Sequence, residues 1–245
     1  MIDFLSKESS QTSKGAVGDR ARTSSPKGYF VTATGTDVGK TFITGLLVKK
    51  WRDSGIDAGY YKAALSGAEF REGKWIAGDA DYVKRIANLP DTQEQLVSYV
   101  YKEAVSPHLA ARKEGNPVNL SKVQADFNAA CFRHEFIFAE GSGGIICPIR
   151  YDDHKIFLED IIKTLKLPLL IVTTAALGSI NACVLTVEYA RSRDLDIRGI
   201  IVNRYGCSGN FEMEDDNIRM MQDLTGLEIL AKVKEGDSDF GVAVF

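Results

Sequence analysis

From Gly28 onward the chain alternates short, almost wholly apolar runs with longer stretches of helical character, and few folds accommodate that order. Residues 29–33, 58–62, 135–139, 169–173, 197–202 and 228–233 read as strands. Residues 40–53, 79–88, 120–133, 155–165, 179–192 and 211–224 read as helices. A strand without a polar face needs cover on both sides, which a parallel sheet obtains from its crossover helices. The expected fold class is therefore α/β: a doubly wound, mostly parallel sheet with helices on both faces. No internal repeat and no linker interrupts residues 28–245, which read as a single domain.

Residues 1–27 differ in kind. They carry six serines, five basic and three acidic side chains, and no apolar period. Such a segment buries too little apolar surface to offset its ordering entropy, so it reads as a disordered tail or leader. Asp3, Glu8 and Asp19 argue against a transit peptide, and no apolar core for secretion is present. The uncharged run 167–187 is as long as a bilayer-spanning helix, about 20 residues. Thr173, Thr174, Gly178, Ser179 and Asn181 break it into a strand, a loop and a helix start, so no membrane association is expected.

Composition excludes several functions. With 30 basic and 33 acidic residues the net charge is −3, which offers no overall attraction for nucleic acid or an anionic membrane. Any polyanion must be held by a local site, which points to a small molecule. Cys131, Cys147, Cys183 and Cys207 show no CxxC pair, and His108, His134 and His154 stand apart. Neither a disulfide framework nor a zinc site is indicated, and reduced thiols fit a cytoplasmic protein.

Three segments carry chemistry. The first, Thr34-Gly35-Thr36-Asp37-Val38-Gly39-Lys40-Thr41-Phe42, joins the first strand to the first helix. Open α/β sheets bind ligands at that point. Backbone N–H groups of the loop and the helix N-terminus cradle phosphate oxygens; Lys40 supplies a positive charge and the Thr41 hydroxyl a ligand for Mg²⁺. The pattern is a P-loop whose first glycine is displaced, because Thr34 stands where glycine is usual. In the second, an apolar strand runs into Glu140-Gly141-Ser142-Gly143-Gly144, placing a carboxylate where it can hold Mg²⁺ against phosphates. In the third, Lys62 leaves the second strand ahead of Ser66-Gly67, at the same sheet edge as Lys40. Two lysines there suit a reaction that accumulates charge on carboxylate and phosphate.

Together these segments resemble the dethiobiotin synthetase family. The likeness rests on residues 31–41, on Lys62 with Ser66-Gly67, on Ser106-Pro107-His108, on Glu140 to Gly144, on Leu177 to Asn181 and on Val202-Asn203. Ala33 and Ala63 stand where the family has glycine and proline, and Lys234 replaces a proline of its late loop. The resemblance implies a P-loop fold and an ATP- and Mg²⁺-dependent ligase that forms a cyclic urea from 7,8-diaminononanoate and CO₂. The route runs through a carbamate and its mixed anhydride with phosphate. Lys62 and Lys40 would be catalytic. Asp37, Val38, Gly39, Lys40, Thr41, Phe42, Asp79, Glu140, Gly141, Ser142, Gly143 and Asn203 would bind ATP, Asn203 at the base. Thr41, Asp79 and Glu140 would hold Mg²⁺, with Asp81 as the alternative to Asp79 in Gly78-Asp79-Ala80-Asp81. Thr36, Lys62, Ser66, Gly144, Ser179, Ile180 and Asn181 would meet the diamine, the last three from a partner subunit, so a homodimer is implied. Ser106-Pro107-His108 reads as packing near the site.

Two other readings compete. A partitioning-type ATPase of the same fold carries a signature lysine five residues before the invariant one, and here that position is Gly35. A nucleotide switch without ligase chemistry would have no use for Lys62.

Overall fold

The computed structural model describes residues 27–239; apart from Lys27, the tail expected over 1–27 lies outside the described residues. In chain order the elements are β1 (Gly28–Ala33), α1 (Lys40–Asp53), β2 (Ala58–Ser66), β3 (Glu69–Arg71), β4 (Lys74–Ile76), α2 (Gly78–Ala87), α3 (Gln93–Leu96) and β5 (Val97–Tyr101). There follow α4 (Pro107–Lys113), α5 (Leu120–Arg133), β6 (Phe136–Glu140), β7 (Pro148–Tyr151), β8 (Lys155–Phe157), α6 (Leu158–Leu165) and β9 (Leu169–Thr174). The chain continues with α7 (Ser179–Ser192), β10 (Ile197–Asn203), α8 (Phe211–Thr225) and β11 (Ile229–Lys232).

Seven strands form one parallel sheet in the order β11-β10-β9-β1-β6-β2-β5. The sheet is wound on both sides, and the pleat explains why its strands lack a polar face. Val31, Tyr60, Phe138 and Leu170 point into a layer with Ile43, Leu47, Trp51 and Val83 of α1 and α2. Their neighbours Phe30, Tyr61, Ile137 and Leu169 point the other way, against Phe127 of α5 and Ile161 of α6. Farther along that second face, Cys183 and Val187 of α7 meet Met221 of α8 over Ile171 and Ile200.

β1 lies between β6 and β9, so both neighbours arrive late in the chain and the loop after β1 opens into a crevice between diverging crossovers. Register levels the strand ends: Val31 and Lys62 both lie opposite Glu140.

Differences from the sequence reading have local causes. β2 runs four residues past Lys62 because β5, an alternating edge strand absent from that reading, pairs with Lys62 to Ser66. Lys62 is thus within a strand, level with the end of β6, and does not leave it there. Residues 155–157 pair with β7 as a short hairpin before α6 begins, and β3–β4 forms a second hairpin. The uncharged run 167–187 divides into β9, a turn and the first half of α7. Among the described residues, no helix is long and apolar enough to cross a membrane, and the four cysteines are free.

Candidate active site

β1 ends at Ala33, and residues 34–39 turn the chain into α1. Thr34 N–H donates to Val172 O at 3.0 Å, fixing the start of the turn to β9. At the other end Gly39 has φ 96°, and a Cβ there would come within 2.1 Å of Asn203 Nδ2. Both the left-handed backbone and the close approach require glycine. No side chain caps α1 and no acid stands in its first turn, so its leading N–H groups are available to an anion. Lys40 is 8 % exposed and folds back over the turn, its Nζ donating to Gly35 O at 3.1 Å. Burial lowers its pKa from the usual lysine value; Lys62 adds to that, while Glu140 and Asp79 oppose it. Thr36 and Asp37 are exposed on the turn, and Val38 and Phe42 are half-buried beside it.

Behind the loop lies a buried charge cluster. Lys62, 3 % exposed, donates from Nζ to Glu140 Oε1 at 2.6 Å and to Asp79 Oδ2 at 2.5 Å, with Gly141 O at 3.5 Å. Thr41 Oγ1 donates to the same Glu140 oxygen at 2.9 Å. Burial by itself would lower the pKa of Lys62, but Glu140 and Asp79 hold it far above the ordinary lysine value. Asp79 shows the converse. Burial would raise its pKa, yet the Lys62 charge and hydrogen bonds from Lys62 and Thr41 bring it below the usual carboxylate value. Lys62 is therefore an ammonium and Asp79 a carboxylate at neutral pH. Asp81, the alternative to Asp79, instead faces Arg71 at 3.4 Å.

The Asp79 and Glu140 carboxylates meet at the Lys62 ammonium, and the Thr41 hydroxyl joins them through Glu140 Oε1. Their oxygens fit a small hard cation that takes its remaining ligands from phosphate and water. Among the described residues no cluster of three His, Cys, Asp or Glu could hold a metal unaided.

The glycine loop after β6 closes the site. Gly141 N–H donates to Val31 O at 2.9 Å, and Ser142 Oγ donates to Ala64 O at 2.6 Å, so loop and β2 are tied together. Gly143 has φ 66°, and Gly144 packs against Ala33 and Gly35 of the phosphate turn. Ser66 ends β2 nearby. Cys147 lies against Gly143; burial pushes its thiol up to about 11, despite Lys40 and Lys62. Asn203 closes β10 with Nδ2 donating to Val38 O at 2.8 Å, which orients the amide and leaves Oδ1 buried with no partner. Ser179, Ile180 and Asn181 form the first turn of α7 after Gly178. Among the described residues no hydrogen bond joins them to the Lys62 cluster, and the buried Ser179 hydroxyl has no partner.

Tyr60 joins the site although its sequence context marks it only as a strand residue. It is fully buried, and its hydroxyl donates to Glu140 Oε2 at 3.0 Å. Burial, followed by the charges of Glu140 and Asp79, pushes its phenol well above the ordinary tyrosine value. The readable signal was spacing: Tyr60 and Lys62 are two apart on one strand and share a face.

A displaced phosphate loop at the switch point of a doubly wound sheet, backed by an acid at the end of β6, defines a P-loop nucleoside-triphosphate-binding protein. A family model described as an AAA domain matches residues 27–238. Among solved structures, the MinC:MinD cell division complex of Aquifex aeolicus aligns at TM-score 0.52 and 14 % identity, over 85 % of this chain and 81 % of that one. A ParA family ATPase from Chlorobium tepidum TLS aligns at TM-score 0.51 and 14 % identity, over 87 % and 86 %. At that identity the likeness concerns fold alone. Sequence relatives are nearer: the ATP-dependent dethiobiotin synthetase of Clostridium botulinum (strain Eklund 17B / Type B) is 50 % identical over 83 % of this chain and 88 % of its own. That of Brachyspira hyodysenteriae (strain ATCC 49526 / WA1) is 49 % identical over 86 % and 93 %. The chain belongs to the ATP-dependent dethiobiotin synthetase family.

Proposed function

We propose that this site closes the cyclic urea of dethiobiotin from 7,8-diaminononanoate, CO₂ and ATP. The chain is an ATP-dependent ligase of the dethiobiotin synthetase type, and the roles of its residues follow from their positions. The observation that carries the assignment is the buried Lys62 ammonium, held by two acids beside a phosphate loop. A nucleotide-binding domain that only switched state would not need it.

The turn 34–39 and the start of α1 bind the phosphates, with Lys40 reaching the β/γ end. Thr41, Asp79 and Glu140 are the residues to hold Mg²⁺, which when bound neutralises phosphate oxygens and orients them. Asn203 offers an amide oxygen already turned away from Val38, suited to the exocyclic amino group of adenine. Thr36, Ser66 and Gly144 border the diamine.

The chemistry is a balanced sequence. One amine adds to CO₂ and loses a proton to give a carbamate. A carbamate oxygen takes the γ-phosphoryl group and ADP departs. The second amine attacks the carbamoyl carbon, phosphate leaves as the ring closes, and the new urea nitrogen releases a proton to solvent. Negative charge gathers between carbamate and phosphoryl oxygens, where Lys62 and Lys40 stabilise it most in the transition state. The first turn of α7, with Ser179, Ile180 and Asn181, offers N–H groups to the substrate carboxylate across a homodimer interface.

The test measures phosphate release from ATP, Mg²⁺ and bicarbonate, with and without 7,8-diaminononanoate. Release that depends on the diamine, with an equal amount of dethiobiotin formed, is expected. Release indifferent to the diamine would leave an ATPase and overturn the assignment.

A further inference from the structure

Glu140 has two carboxylate oxygens, and the structure uses them differently. Oε1 faces Thr41 and Lys62, the side of the phosphate loop, while Oε2 accepts the Tyr60 hydroxyl. Tyr60 stands opposite Phe138 in the β2–β6 register, so it lies diagonal to Glu140 on the same sheet face. Its ring is 0 % exposed among Val31, Leu46 and Phe138 of the apolar layer, where phenylalanine would pack equally well. Packing therefore does not account for the hydroxyl. A buried phenol without a partner is costly, and the partner it finds is the oxygen of Glu140 turned away from the reacting groups.

We propose that Tyr60 is a positioning residue: its hydrogen bond to Oε2 fixes the rotation of the Glu140 carboxylate and presents Oε1 alone to the metal and to Lys62. The proposal rests on Glu140 as a metal-holding acid. Mg²⁺ tolerates little departure from its preferred geometry, so a carboxylate free to rotate or to offer both oxygens holds it less well. Outer partners that orient metal-binding groups are worth roughly 10- to 100-fold in metal affinity or activity when removed.

The measurement is Mn²⁺ binding to the full chain with ADP, followed by electron paramagnetic resonance, for the wild type, Tyr60→Phe, Glu140→Gln and the double variant. Thermal unfolding of each is recorded alongside. Tyr60→Phe should weaken Mn²⁺ binding by roughly 10-fold, leave ADP binding without metal unchanged, and lower kcat while KM for the diamine holds. In the Glu140→Gln background, Tyr60→Phe should have no further effect, because the two act as one unit. If Glu140→Gln binds Mn²⁺ as the wild type does, the reading of Glu140 as a metal acid fails. Should Glu140→Gln lose Mn²⁺ while Tyr60→Phe keeps it, only the positioning role of Tyr60 falls. A lower Tm for Tyr60→Phe with unaltered Mn²⁺ affinity would mean a packing role, and would overturn the proposal.

Discussion

Lys62 and Lys40 share one edge of the sheet under different constraints, and substitution should separate them. Lys62 is locked between Glu140 and Asp79, whereas Lys40 spans the phosphate turn. Lys62→Ala is expected to lower kcat by roughly 100-fold or more while ATP affinity stays within a few-fold, since it removes stabilisation realised in the transition state. Single-turnover kinetics and equilibrium nucleotide binding check the two halves. Lys40→Ala should instead weaken ATP binding itself by roughly 10-fold, read by the same titration, as a hydrogen-bonding charge on phosphate is lost.

Single elements are joined by a second polar cluster, at the opposite end of the sheet from the site. His134, the C-cap of α5, places Nδ1 3.0 Å from Asp57 Oδ1 and Nε2 2.9 Å from Asp91 Oδ2, while Arg133 Nε donates to Asp91 Oδ1 at 2.8 Å. Gly59 at the start of β2 permits this, because a Cβ there would fall 2.3 Å from the His134 ring. Burial would raise the pKa of Asp91, but hydrogen bonds from Arg133 and His134 bring it below the usual carboxylate value. A carboxyl depressed on folding stabilises the protein above its unfolded pKa, and that stabilisation is lost as pH falls through the folded value. Asp91→Asn should therefore cost roughly 2 kcal/mol or more at pH 7. It should also flatten the acid limb of the Tm–pH curve, so that variant and wild type converge once pH falls below the folded pKa of Asp91. Parallel curves of constant offset would show that Asp91 acts through packing.

For the whole molecule, the proposed site draws on a second copy of the chain. Among the described residues the Ser179–Asn181 turn has no hydrogen bond to the Lys62 cluster, and Leu177 beside it is 90 % exposed, with Leu185 and Ile146 also exposed. The proposed homodimer, in which each α7 start serves the partner's site, would account for both. Leu177→Asp, a charge placed in that proposed interface, should shift the protein toward monomer in sedimentation velocity. Diamine-dependent turnover should fall with it while ATP binding remains. A wild type that is monomeric at assay concentration would remove this arrangement.

The chain itself determined the order of strands and helices, the phosphate turn and the residue types of the site, because those depend on local spacing. Fully apolar strands required a covered parallel sheet, and Gly39-Lys40-Thr41 after a strand required an anion-binding helix start. What tertiary structure decided was nonlocal. β5 is short, with Val97, Tyr99 and Tyr101 buried and Ser98 and Val100 half-buried, and only its pairing with Lys62–Ser66 made it a strand and extended β2. The choice between Asp79 and Asp81 as partner of Lys62 turned on how α2 leaves the β3–β4 hairpin, which sends Asp81 to Arg71. Tyr60 looked like one more apolar strand residue until register set it diagonal to Glu140. Spacing along a chain shows which face a side chain takes; which oxygen it meets there depends on a strand nearly eighty residues away, |i−j| = 80 for Tyr60 and Glu140.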